Sequence, residues 1–218
     1  MGTRNLTVII SDNEVKLSQY GQWDGYFSYT GEKFINFVRE HLKGNKKTHE
    51  YLLKLFKEKV STLGGVDQSY INMIKEKHEE FSADNHVKNK SDYAIPLNIM
   101  FPQFSRDTGV EILNIIQRNC EPFYMRGKKF PVYLDKDTSF VEFIYIINLD
   151  TDEIYMLTYH EFKGEPLTTC ELVDKLFKMP CWYKSSIATL PTVKQIEKYK
   201  ISIGLDYEVR EDGEVYNN

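Results

Sequence analysis

The chain has 218 residues, of which 41% are hydrophobic and 28% charged, enough apolar material for a sizeable core and far from the composition of a disordered segment. A formal charge of −4 and a pI near 5.8 exclude a protein whose main task is to coat a long nucleic acid, which takes a basic face. They leave room for a small anion held by two or three well-placed cations.

Leu6, Val8 and Ile10 alternate with Asn5, Thr7 and Ile9, and after Ser11-Asp12-Asn13-Glu14 a second β-like run begins at Val15. The pattern predicts an opening hairpin with a tight turn. Gly21 to Ser28 reads as a Gly- and aromatic-rich loop, after which Thr30 is placed to cap a helix presenting Phe34, Phe37, Val38 and His41 on one face. A second amphipathic helix is predicted from about Thr48 to Val60, ended by Gly64-Gly65, and a third from Asp67 to about Phe81. Ser82 to Asp92 is polar and lysine-bearing and reads as an exposed loop.

A further helix is expected to start near Asp107 or Thr108, with Val110, Leu113 and Ile116 inward. Phe140 to Ile147, the turn Asn148 to Asp152 and the return Ile154 to Tyr159 make the clearest hairpin in the chain. Thr168 to Glu171 fits a capping box, a last helix is predicted from about Pro191 to Tyr199, and the acidic tail from Asp206 reads as a short strand or frayed end. Hairpins near both ends with helices between them predict an α+β fold, a mostly antiparallel sheet covered by helices in a single domain spanning residues 1–218.

Three segments carry groups suited to chemistry. In Met1-Gly2-Thr3-Arg4, loss of the initiator Met would free the Gly2 amine, with a pKa near 8, beside Thr3 and Arg4. In Tyr20-Gly21-Gln22-Trp23-Asp24-Gly25-Tyr26, two glycines let the backbone turn sharply while Gln22, Trp23, Asp24 and Tyr26 project. There the rings would stack on a base or sugar and Asp24 would serve as acid or base. In Ser105-Arg106-Asp107-Thr108-Gly109, a helix start would offer amides to an anion, with Arg106 adding a bidentate contact. For each segment a plain structural role, a turn or a cap, competes with the functional one.

Other signals fail. His41, His49, His78, His86 and His160 lack paired-ligand spacing, and Cys120, Cys170 and Cys181 form no CxxC, so no metal is expected and the thiols read as free. Asp150-Thr151-Asp152-Glu153 begins like a calcium loop, but Tyr155 stands where that loop needs Gly. GxxxxGK[ST], GxGxxG and GxSxG are all missing, and no cofactor is expected. No basic-then-apolar leader and no apolar run approaching about 20 residues is present, so a cytoplasmic protein without a membrane partner is expected.

Met1 to Arg4, the Tyr20 to Tyr26 loop, Ser105 to Gly109 and the strand from Phe143 to Asp150 together resemble a family of phage, prophage and microbial proteins that begin Met-Gly-Thr-Arg. Set against that family, residues 43–92 look like a helical insertion. The opening hairpin and Asp-Gly loop are also similar, more loosely, to N-terminal nucleophile hydrolases, which implies an αββα sandwich, although those enzymes start with Cys, Ser or Thr and this chain would start with Gly2.

A phage origin implies host cytoplasm and counter-defence against the nucleotide signals of bacterial immunity. The combined expectation is a hydrolase-like pocket for a small anionic, nucleotide-type ligand, in a monomer or a homo-oligomer. Arg4 and Arg106 would hold phosphate, Trp23 and Tyr26 would stack, and Gln22, Ser105 and Asp107 would line the pocket. Asp24 would be the acid or base, with Thr3 or the Gly2 amine as nucleophile or activator. Two rivals stay open: sequestration of such a ligand without turnover, and a protein-binding inhibitor with no small-molecule pocket.

Overall fold

The computed structural model describes residues 3–45, 47–66, 68–84, 101–119, 129–134, 141–158, 183–202, 207–209 and 215–217. The chain opens with β1 (Asn5–Ser11) and β2 (Glu14–Gly21), paired antiparallel. Asp12 and Asn13 both take positive φ, 57° and 56°, the left-handed pair that a two-residue hairpin turn demands and that short Asx side chains tolerate. The predicted opening hairpin is therefore present.

The second predicted hairpin is present as well, as β5 (Phe143–Asn148) and β6 (Glu153–Thr158). Between them in the chain come β3 (Leu63–Val66) and β4 (Phe130–Tyr133), a parallel two-stranded ribbon. β7 (Tyr183–Ser186) closes the main sheet, and β8 (Tyr207–Val209) pairs with β9 (Val215–Asn217) in the acidic tail. The main sheet runs β2-β1-β5-β6-β7, antiparallel throughout except for the parallel pair β1 and β5. The fold is α+β.

All seven residues of β1 are buried. The reason is its place between β2 and β5 in a sheet covered on both faces, where alternation separates two cores instead of core from solvent. Ile9, Leu17, Tyr145, Ile147 and Met156 face the helices, while Leu6, Val8, Ile10, Ile144, Ile146 and Leu157 form a second cluster. Each of these fully buried aliphatic side chains stabilises the fold by roughly 1.5–3 kcal/mol.

The α-helices among the described residues are α1 (Glu32–Val38), α2 (His49–Ser61), α3 (Gln68–Asp84), α4 (Ile112–Asn119) and α5 (Val193–Ser202). Phe34, Phe37, Val38, Phe56, Val60, Leu113, Ile116 and Ile196 place α1, α2, α4 and α5 in one core cluster with the sheet. α1 lies between two π-helical turns, Phe27–Gly31 and Arg39–Lys43, so helical backbone begins three residues before Thr30. Thr30 is accordingly no cap; its buried hydroxyl donates to the Asp24 carbonyl at 2.6 Å.

Two other expectations change. Gly64 and Gly65 lie within β3, after α2 has already ended at Ser61. The predicted helix start at Asp107 is a turn followed by a 3-10 turn, Gly109–Glu111, and α4 begins only at Ile112. α5 carries the reciprocal cap that a Thr-x-x-Gln start provides, with Thr192 N–H donating to Gln195 Oε1 at 2.8 Å and Gln195 N–H to Thr192 Oγ1 at 3.3 Å. The expected capping box at Thr168 to Glu171 and residues 85–92 of the predicted loop lie outside the described residues; Ser82–Asp84, expected in that loop, belong to α3.

Candidate functional site

The loop after β2 is held by side chains rather than by a backbone ladder. Asn5 Nδ2 donates to the carbonyls of Gly21 and Trp23 at 3.4 and 3.3 Å, Thr30 to that of Asp24, and Tyr145 Oη to that of Gly25 at 2.7 Å. The Gln22 and Gly25 amides donate to the carbonyls of Arg106 and Thr3, each at 2.9 Å. Most of the loop's carbonyls and two of its amides thus have a fixed partner, which preorganises whatever its side chains present. Asp24 turns the chain through a positive φ of 49°, uncommon outside glycine.

Opposite this loop stands the segment from Phe101 to Asp107. Pro102–Phe104 is a 3-10 turn, and the Phe101 and Phe104 rings lie 6.1 Å apart and nearly parallel, with Tyr70 of α3 edge-on to Phe104 at 6.2 Å. Ser105 Oγ accepts the Asp107 N–H at 3.2 Å and so closes the next turn locally. Between loop and turn is an open cleft of about 590 Å³, lined by Gln22, Trp23, Lys75, Phe101, Phe104, Ser105, Arg106 and Asp107.

Besides the backbone bond from Gln22 to Arg106, two side-chain contacts tie the walls together. Trp23 Nε1–H donates to Asp107 Oδ1 at 2.9 Å, and the Arg106 guanidinium donates to Gln22 Oε1. Gln22 Oε1 also accepts the Tyr20 hydroxyl at 3.0 Å, and the Arg106 guanidinium lies 5.6 Å from the centre of the Tyr20 ring. Trp23 nevertheless stays 56% exposed. Neither Arg106 nor Lys75 pairs with a carboxylate among the described residues. The cleft therefore offers aromatic faces, two cations and one carboxylate, a set suited to a flat ring carrying negative charge.

Five sequence candidates meet here: Gln22, Trp23, Ser105, Arg106 and Asp107. Thr3, Arg4, Asp24 and Tyr26 are not among the lining residues. Thr3 and Arg4 join the fold through backbone groups, the Thr3 carbonyl accepting from Gly25, the Arg4 carbonyl from Glu142 and Phe143, and the Arg4 N–H donating to Glu142 Oε1 at 3.2 Å. The Asp24 carboxylate faces Tyr26, whose phenol is raised above its ordinary pKa by burial and then by that negative charge and hydrogen bond. Beyond Tyr26, Lys33 pairs with Glu111 at 3.1 Å and lies 4.3 Å from the centre of the Tyr29 ring. Gly2 lies outside the described residues.

Phe101, Phe104 and Lys75 escaped the sequence reading. Phe101-Pro102-Gln103-Phe104 directly before Ser105 was the available signal, because a turn at Pro102 brings rings three residues apart to one side. Lys75, one of two lysines on the exposed helix α3, gave none. Among the described residues no cluster of His, Cys, Asp or Glu could hold a metal ion, and no helix is long and apolar enough to cross a membrane. Compared with protein-family models, curated proteins and solved structures, the chain matches none of them.

Proposed function

We propose that this protein binds a small, ring-bearing anion of nucleotide type in the Trp23 cleft and holds it without turnover. The observation that carries the reading is the pairing of an exposed Trp23 indole with Arg106 and Lys75, two cations without a carboxylate partner among the described residues, across one cleft. The ring would stack on Trp23 or on the Phe101 and Phe104 pair, and the anion would take the guanidinium donors that Gln22 leaves unused.

Sequestration is favoured over cleavage by the state of the acid. Asp107, the one carboxylate lining the cleft, already accepts the Trp23 indole N–H, and Asp24 and Thr3, the expected acid-base and nucleophilic groups, do not line it. A general base must reach the proton it removes within one hydrogen bond or one water. The resemblance to phage proteins makes a nucleotide immune signal the ligand to try first.

ADP-ribose and a cyclic dinucleotide, titrated separately against the protein and followed by Trp fluorescence, test the proposal. Saturable quenching is expected for at least one, and the affinity read by titration calorimetry should fall about tenfold or more, some 1.4 kcal/mol, in Trp23→Ala and in Arg106→Ala. The ligand should be recovered intact by chromatography after denaturation. Recovery of a cleaved product would replace holding with hydrolysis, and no quenching by either compound would count against a nucleotide ligand.

A further inference from the structure

We infer that Asn5 and Gln19, two amides buried in the sheet beneath the cleft, are its positioning residues, fixing the backbone of the two segments that carry Trp23 and Arg106. The inference rests on the reading of this cleft as the binding site.

Asn5 and Gln19 are 1% and 2% exposed and point to the same sheet face as Ile9, Leu17 and Tyr145, since Asn5 is two and four residues from Thr7 and Ile9 and Gln19 pairs with Thr7. An apolar side chain would suit that face. Each amide nitrogen instead meets two carbonyls: Asn5 Nδ2 those of Gly21 and Trp23, and Gln19 Nε2 those of Tyr20 and Ser105 at 3.2 and 3.1 Å. Flipping either amide would set oxygen against oxygen, so both orientations are fixed by their neighbours. One amide thus grips the loop of Trp23 and the other the turn of Arg106.

The grip has a visible cost. Asn5 Oδ1, Gln19 Oε1 and the neighbouring Thr7 Oγ1 are buried without a hydrogen-bond partner among the described residues. Stability alone would not select three such atoms side by side. Space has been cleared for Asn5 too. A Cβ on Gly21 would stand 2.6 Å from its amide and one on Gly25 2.9 Å from its Cβ. These two glycines come from the end of β2 and from the loop, so the Trp23 loop closes directly on the Asn5 side chain.

The test reads Trp23 without any ligand. In the ¹H–¹⁵N spectrum the Trp23 indole signal, distinguished from that of Trp182 by a Trp182→Phe variant, reports the hydrogen bond to Asp107. Asn5→Ala and Gln19→Met are compared with Ile147→Val, a core change that lowers the melting temperature without touching the cleft. Both amide variants are expected to move the Trp23 signal and to weaken ADP-ribose binding about tenfold, whereas Ile147→Val moves neither. Gln19→Met keeps the side-chain shape and decides the matter should Asn5→Ala fail to fold. An unmoved Trp23 signal in folded Gln19→Met, or the same displacement in Ile147→Val, would overturn the inference. If the unaltered protein does not bind ADP-ribose, the ligand reading suffers, while the indole signal still decides the role of the two amides.

Discussion

His49 shows how one side chain can set a pH range. It is 8% exposed, and its ring nitrogens face two acceptors, the Leu42 carbonyl and Asp152 Oδ2, each at 2.9 Å. Burial pushes the imidazole toward the neutral form, but hydrogen bonds to Asp152 and to the backbone outweigh it, and its pKa is raised above the ordinary value. Only the doubly protonated ring satisfies both acceptors. Because the folded pKa lies above the unfolded one of about 6.5, this contribution is complete below about pH 6.5 and is lost as pH rises through the folded value. Thermal unfolding measured from pH 6 to 9 should therefore show a decline that His49→Gln flattens; an unchanged slope in that variant would assign the decline elsewhere. Asp150 has the opposite sign. Burial raises its pKa, yet the Asn13 amide, the Lys57 ammonium and the Asp12 amide lower it on balance, so its contribution is present above about pH 3.9 and fades as pH falls through the depressed value. Tyr145 is a third case at this scale: it is fully buried, and its hydroxyl holds the Gly25 carbonyl. Tyr145→Phe should cost about 1–3 kcal/mol in urea unfolding through the stranded acceptor, and a loss within a few tenths would mean that the carbonyl finds another donor.

Among the elements, those with local signals were legible. The β1-β2 and β5-β6 hairpins follow from alternation and Asx-rich turns, and α2 and α3 from a 3.6-residue apolar period. The elements missed owe their form to partners far along the chain. β3 is a Leu-Gly-Gly-Val run that pairs only because β4, with a proline at its second position, lies alongside, and neither strand has a pattern of its own. Thr30 carried the right residue type for a cap, but π-helical turns beginning at Phe27 overrode it. Part of the site was legible for the same reason as the hairpins: Gly-punctuated polar segments stand out in sequence, and two of them line one cleft. What could not be read was the divide within the Tyr20 to Tyr26 loop. A positive φ at Asp24 separates Trp23, which lines the cleft, from Tyr26, which does not. Gly25 packs tightly against the start of β1, a Cβ there meeting Asn5 Cβ at 2.9 Å and the Arg4 carbonyl at 3.0 Å. Gly25→Ala should therefore cost about 1–3 kcal/mol, measurable by denaturant unfolding, and a neutral result would show that the loop can shift away from the strand.

Across the whole molecule, the sheet works as a platform with two uses. Its helix-facing side is hydrophobic where α1, α2, α4 and α5 pack, and turns polar at Asn5, Thr7 and Gln19, beneath the loop and turn that form the cleft. Rigid strands thus set the spacing of groups that lie on loops, the usual division between scaffold and site. The hairpin turns are fastened at the other end of β1, where Asp150 accepts the Asp12 and Asn13 amides at 3.0 and 2.9 Å and the Lys57 ammonium at 2.9 Å. The central claim is that a ring-bearing anion enters between Trp23 and Arg106. Chemical-shift mapping of the labelled protein titrated with ADP-ribose and with a cyclic dinucleotide tests it most directly. The account predicts saturable shifts, for at least one of the two, concentrated at the Trp23 indole, Phe101, Phe104, Lys75 and Arg106. Shifts centred instead on Asp24, Tyr26 and Lys33, or none with either compound, would contradict it.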